Sequence, residues 1–251
     1  MIGIFDSGSG GLTVLDAIRD VMPSADVLYF GDIRNAPYGS RSHAELSLLT
    51  ARAIELLQRR GATRIVSACN SVSASLAVSL FDTLTLSPSE LIEMVGPTVS
   101  YFKKANARLL LAATPATIES GIYQTAFQMV GKSITPIAIP HLAGAIEFGK
   151  SEEEIEDIIR EASRGVEREN FDALILACTH YPLVQHIFER VFDALPIIDP
   201  ALAVAERVKR DWPRETGSGR TRFIVSKDSA HFRLRVARLF NEGSASIEVI
   251  Q

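Results

Sequence analysis

Two cysteines are the residues of this chain best suited to acid/base chemistry, and both sit in one repeated context: Ile65-Val-Ser-Ala-Cys69-Asn70-Ser71 and Leu174-Ile-Leu-Ala-Cys178-Thr179-His180. Each copy is a short apolar run followed by alanine, cysteine and polar hydrogen-bonding residues, the pattern of a buried strand that ends in a loop. A cysteine there stands at the strand's carboxyl end, and in open α/β sheets ligands bind in the crevice beyond those ends. Two such thiols can face one pocket from two directions. The competing reading is packing, because free cysteine is usually a small, inert, buried hydrophobe. Two matched contexts, each trailed by polar groups, favour the chemical reading.

Composition narrows what that chemistry serves. The chain has 251 residues, 47% hydrophobic and 22% charged, the make-up of a soluble globular protein large enough to bury one or two cores without disulfides. A formal net charge of −4 argues against a general nucleic-acid binder, which shows a basic patch or stripe, but leaves room for a small anionic substrate. Met1-Ile-Gly-Ile-Phe-Asp6 lacks the basic segment and long apolar stretch of a signal peptide, and no run approaches the roughly eighteen apolar residues of a membrane span. The expected compartment is the cytoplasm, where a disulfide between the two cysteines is not expected. A redox or metal centre is disfavoured, since there is no C-x-x-C spacing and no dense Cys/His cluster.

The elements that must position the thiols follow an α/β plan. Ile2–Phe5 reads as a strand, Asp6-Ser-Gly-Ser-Gly-Gly11 as a glycine-rich turn and the residues from Leu12 as a helix; such a turn brings backbone amides close to an anion, carboxylate or phosphate. It lacks the P-loop lysine and a full dinucleotide fingerprint. A second strand is expected at 26–30, a helix at 42–60, the strand before Cys69 at 65–68 and a helix at 71–80. A turn-rich break at 85–89 marks a domain junction. Arg108–Gly121 then repeats the plan of the amino terminus. Asp6 to Thr114 and Cys69 to Cys178 share nearly one offset, 108 and 109 residues, which indicates a duplicated α/β half. A strand is expected at 134–139, a helix at 152–169 with Ile155, Ile158, Ile159 and Val166 as its buried stripe, a helix from after Pro182 to about Phe192, and a strand near 195–198. The tail, with helices at 201–211 and 229–240 and a strand at 222–225, returns to complete the first half. The expected division is 1–92 plus 205–251 for the first half and 93–204 for the second.

Asp6-Ser-Gly-Ser-Gly-Gly, Asp32-Ile-Arg-Asn-Ala-Pro-Tyr-Gly, Ala68-Cys-Asn-Ser and Ala177-Cys-Thr-His-Tyr-Pro-Leu, in this order along nearly the whole chain, resemble the glutamate racemases of the aspartate/glutamate racemase superfamily. The resemblance implies two pseudo-symmetric, doubly wound α/β domains with mainly parallel sheets and the active site in the cleft between them. It also implies cofactor-independent interconversion of L- and D-glutamate, supplying D-glutamate for peptidoglycan, and a homodimer. It assigns the acid/base roles to Cys69 and Cys178, with Asp6 and His180 assisting them respectively. Substrate contacts carried over are Asp6, Ser7, Tyr38, Gly39, Asn70, Ser71, Thr114, Thr117, Thr179 and His180. Ser71 stands where the family usually has threonine, keeping the hydroxyl but losing a methyl that restrains the rotamer, and Ala112-Ala-Thr-Pro-Ala-Thr117 replaces the glycine-threonine repeats usual there. Glu147 either lines the site or stabilises a helix end.

The residue types suit such a reaction on their own terms. Inverting an α-carbon needs a base on one face and an acid on the other, exchanging roles when the direction reverses. Two thiols, with an ordinary pKa of about 8.5, meet that demand from both sides. Two alternatives stay open at this level: a racemase for aspartate or another acidic amino acid, and a module that closes on an amino acid without turning it over.

Overall fold

In the computed structural model, which describes residues 1–76, 86–193, 195–240 and 246–250, the apolar runs form two separate sheets in which the strand pairs are parallel. Among the described residues, β1 (Ile2–Asp6), β2 (Val27–Gly31), β3 (Arg64–Ser67), β4 (Leu91–Ile92), β9 (Thr221–Val225) and β10 (Ile247–Val249) make the first, in the order β10-β9-β2-β1-β3-β4. The second holds β5 (Leu109–Ala113), β6 (Ile134–Ala138), β7 (Ala173–Ala177) and β8 (Ile197–Ile198), in the order β6-β5-β7-β8. The central strands β1, β5 and β7 are buried along their whole length. The unbroken apolar sequences of β5 and β7 reflect helices on both sheet faces.

Helices Leu12–Val21 and Pro200–Asp211 cover one face of the first sheet through Leu15, Ile18, Val204 and Val208, while helix His43–Arg59 covers the other through Leu46, Ile54 and Leu57. The second sheet is flanked by Ile155, Ile159, Ile187 and Phe188 on one side and by Val99, Phe102, Tyr123 and Phe127 on the other. Helix starts follow local chemistry: Ser42 with Glu45, and Ser151 with Glu154, each form a reciprocal capping box.

The strand orders place the chemistry. In the first sheet the chain leaves β1 for β2 on one side and later returns to β3 on the other, so the winding reverses between β1 and β3. The second sheet reverses in the same way between β5 and β7. Such a switch point opens a crevice at the carboxyl ends of the two strands. Asp6 ends β1 and Cys69 follows β3, whereas Thr114 follows β5 and Cys178 follows β7.

Several local expectations change. The helix expected over 152–169 ends at Ala162, capped by Ser163, because Gly165 adopts a positive φ of 82° that reverses the chain before a short 3-10 turn at Arg168–Asn170. After Cys69 the backbone forms a 3-10 turn, Asn70–Ser75, in place of an α-helix start; the expected helix residues 77–80, and Thr85 of the expected break, lie outside the described residues. The expected division at 204/205 falls inside helix Pro200–Asp211, whose Ala201 and Val204 pack in the first half's core beside Leu15. The tail adds β9 beside β2 and also β10, a strand that the sequence pattern did not indicate.

Phe223 of β9 anchors that tail, with its ring centroid 6.2 Å from those of Tyr29 and Phe232 and 5.9 Å from that of Phe240. Phe223→Ala is expected to cost about 3–5 kcal/mol, read as a lowered urea midpoint in equilibrium unfolding.

Candidate active site

The two switch points face each other, and one pocket lies between them. Ser7, Tyr38, Gly39, Cys69, Asn70 and Ser71 line it from the first half, and Thr114, Cys178, Thr179 and His180 from the second. Pro37 and Ala143, which the sequence did not single out, complete the wall. Asp6 and Thr117 are outside this lining but within hydrogen-bond reach of residues that belong to it. The pocket is nearly shut, at about 10 Å³, roughly the room of one water molecule.

Both cysteines are free thiols and almost fully buried, yet their neighbours differ. Burial, then the negative charge of Asp6 and the presence of Cys178, push the Cys69 thiol well above its ordinary value; hydrogen bonds from the Ser71 amide and the Ser7 hydroxyl only partly oppose this. Asp6 itself is completely buried. It accepts hydrogen bonds from the Gly8 amide at 3.0 Å and from the Thr179 hydroxyl at 3.0 Å, which ties β1 of one half to the Cys178 loop of the other.

Cys178 Sγ lies 4.0 Å from Nδ1 of His180, whose Nε2 lies 2.8 Å from Glu147 Oε2. Burial alone would depress the imidazole, but the hydrogen bonds and charges of Cys178 and Glu147 outweigh it and raise His180 to about 10. Glu147 answers in the opposite sense. Burial pushes its carboxyl up, but the His180 contact, the Ser9 hydroxyl and the charge of Arg235 bring it down to about 2. Glu147 therefore lines up behind the site residues, as the partner of His180, and its carboxylate also accepts from the Ser9 amide at 3.1 Å and the Ser9 hydroxyl at 2.5 Å.

The glycine-rich turn thus does hold an anion, and the anion is the protein's own carboxylate. A Cβ at Gly8 would meet the Glu147 carboxylate at 2.8 Å, and one at Gly10 would meet the Thr179 hydroxyl at 2.5 Å and His180 Nδ1 at 2.6 Å. Glycine is required at both positions by this close approach.

Arg235, on helix Ala230–Phe240, closes the arrangement from the first half by donating to Glu147 Oε2 at 3.3 Å, to the Ser9 hydroxyl and to the Ile146 carbonyl. Nothing in the sequence marked it, because an arginine in an amphipathic helix reads as a solvated face.

Hydroxyls and amides face the remaining wall. Ser71 Oγ lies 3.0 Å from Thr114 Oγ1 and 3.4 Å from Thr117 Oγ1, and the two threonine hydroxyls are 3.0 Å apart. The serine therefore keeps the hydrogen-bonding part of the threonine it replaces. Asn70 presents a buried Nδ2 without a partner. Tyr38 is almost fully buried and donates its hydroxyl to Asp32 Oδ2 at 2.6 Å. Among the described residues no group of three or more His, Cys, Asp or Glu is placed to hold a metal ion, and no helix is long and apolar enough to cross a membrane.

The pattern that describes the Asp/Glu/Hydantoin racemases matches residues 13–208. The chain belongs to that family. It is an isomerase of the racemase class, and its similarity to other members extends over nearly its whole length. It is 32% identical to "Glutamate racemase 3" of Caldanaerobacter subterraneus subsp. tengcongensis, over 96% of this chain and 91% of that one. It is also 32% identical to the glutamate racemase of Aquifex aeolicus, over 96% and 94%. The crystal structure of the Francisella tularensis glutamate racemase in complex with D-glutamate superposes on it with a TM-score of 0.88 at 27% identity, covering 100% of this chain and 97% of that one. The family's two-sheet α/β fold is therefore the fold of this racemase.

The ion pair behind Cys178 carries a pH signature. His180 is raised above 6.5, so its contribution to stability is complete below pH 6.5 and is lost as the pH rises through about 10; Glu147 is lowered, so its contribution is complete above pH 4.5 and is lost as the pH falls through about 2. Glu147→Gln removes the charge that holds the imidazolium. His180 is then expected to titrate below about 10, nearer 6.5, as followed by the ring carbon shifts of labelled histidine in NMR. The variant's stability should also fall less steeply than wild type between pH 6.5 and 10 in urea titrations.

Proposed function

We infer that this racemase interconverts L- and D-glutamate without a cofactor, supplying D-glutamate for peptidoglycan. The observation that carries the reading is that Cys69 and Cys178, at equivalent switch points of opposing halves, line one pocket. An α-carbon held between them has a sulfur for each of its two faces.

In the L-to-D direction, Cys178 takes the α-proton and Cys69 delivers one to the opposite face. The surroundings fit that division. Cys69, buried beside Asp6, holds its proton and starts as the acid; the charged His180 faces the sulfur that carries negative charge when it acts as base. From D to L the roles exchange, and Asp6 assists the departure of the Cys69 proton. The planar carbanion between the two steps needs preorganised donors in a dry pocket, and the Ser71, Thr114 and Thr117 hydroxyls supply them, while the Asn70 amide, Ser7, Tyr38, Gly39 and Thr179 hold the substrate. A pocket of about 10 Å³ does not admit glutamate, so the two halves part to load it and close to exclude water. The working form is a homodimer in the cytoplasm, to be checked by sedimentation.

Incubation with L-glutamate in deuterated water tests the reaction. Deuterium is expected at the α-carbon of newly formed D-glutamate, and the approach to a racemate is followed by circular dichroism. Because the enantiomers have equal energy, kcat/KM must be the same in the two directions. Cys69→Ser and Cys178→Ser are each expected to lose about 10²–10⁴-fold in racemisation, the usual worth of a positioned acid or base. Turnover that survives both substitutions removes the thiols from the mechanism, binding without exchange makes the protein a closing module, and faster turnover of aspartate shifts the substrate.

A further inference from the structure

Asn70 is the pocket residue whose two amide atoms must not be interchanged. Its Oδ1 accepts a hydrogen bond of 2.5 Å from the Tyr123 hydroxyl, whereas its Nδ2 is buried without a partner, in a residue that lines the same pocket as both thiols. Half a turn of the carboxamide swaps a donor for an acceptor with almost no change of shape. The orientation decides whether the pocket offers an N–H to an anion or a lone pair to a cation.

Tyr123 is built to make that choice. It comes from helix Ile122–Met129 of the second half, is completely buried, and has its ring fixed among Val99, Phe102 and Phe127. Burial, followed by the negative charge of Glu93, lifts the phenol further above its already high ordinary value, so the group keeps its proton as a donor through the neutral range. With that hydroxyl donating to Oδ1, Nδ2 is the amide atom left without a partner in a residue that lines the pocket. We propose that Tyr123 is a positioning residue whose hydroxyl locks the Asn70 carboxamide with its N–H toward the substrate, setting this part of the pocket for a carboxylate. The contact also crosses between the halves, so the donor is set only when they are closed. This assignment rests on the racemase reading above.

The test is kcat and KM for L- and D-glutamate, followed by circular dichroism, in wild type, Tyr123→Phe, Asn70→Ala and the double variant. Phenylalanine keeps the ring that fills the second half's core, so the fold is retained and only the hydroxyl is lost. Tyr123→Phe is expected to raise KM about tenfold in both directions with kcat within about twofold of wild type. Asn70→Ala should raise KM at least as much, and adding Tyr123→Phe to it should change nothing further, since the two groups act as one unit. An unchanged KM in Tyr123→Phe overturns the proposal, as does a loss that adds in full to that of Asn70→Ala, which would mean that Tyr123 acts by packing. A wild-type protein that fails to racemise glutamate would refute the function itself and this assignment with it; a normal wild type with an unaffected Tyr123→Phe refutes the assignment alone.

Discussion

One buried carboxylate, that of Glu147, gathers partners from both halves at their junction. An ionised carboxylate out of water is tolerated only when paired and hydrogen-bonded, and here the partners come from both sides: the Ser9 amide and hydroxyl and the Arg235 guanidinium from the first half, and the His180 imidazole from the second. Removing one member of such a set strands the rest, which is costly even where the intact set contributes little to net stability. The requirement reaches back into the backbone. The turn that delivers Ser9 can approach this carboxylate only because Gly8 lacks a side chain, and can pass Thr179 and His180 only because Gly10 does.

The fold is duplicated, but the electrostatics are not. Each thiol follows a strand beside a winding reversal, so the backbone presents the two sulfurs in equivalent ways. Cys69 has a carboxylate, Asp6, as its charged neighbour, and Cys178 has an imidazolium. A two-base inversion begins with one sulfur that carries a proton and one that does not, and which is which depends on the direction. Unlike neighbours on a repeated frame provide a defined starting state, which two identical surroundings would leave degenerate.

Much of this was legible in the sequence, for identifiable reasons. The strands that carry Asp6, Cys69, Thr114 and Cys178 are buried on both faces and so read as continuous apolar runs, and their nearly constant spacing exposed the duplication. Residues whose part depends on tertiary contact were not legible. Arg235 meets Glu147 from 88 positions away, and Tyr123 meets Asn70 from 53; both look locally like ordinary residues of amphipathic helices. Glu147 was visible but ambiguous, since a carboxylate near a helix end has a local explanation until His180 is brought beside it. The early end of the helix at Ala162 was missed because Val166 continued the apolar period past the point where Gly165 turns the chain.

The first sheet joins strands that are far apart in the sequence: β2 is flanked by β9, and β9 by β10. The second sheet, by contrast, is contiguous between Leu109 and Ile198. A ribosome therefore releases every strand of the second sheet before the first can gain its last two. The nascent chain carries β2 as an open edge for most of translation, and unpaired edges of this kind recruit foreign strands. Synthesis of β9 is the event that covers that edge, so chains that stop short of it are the species most prone to aggregate.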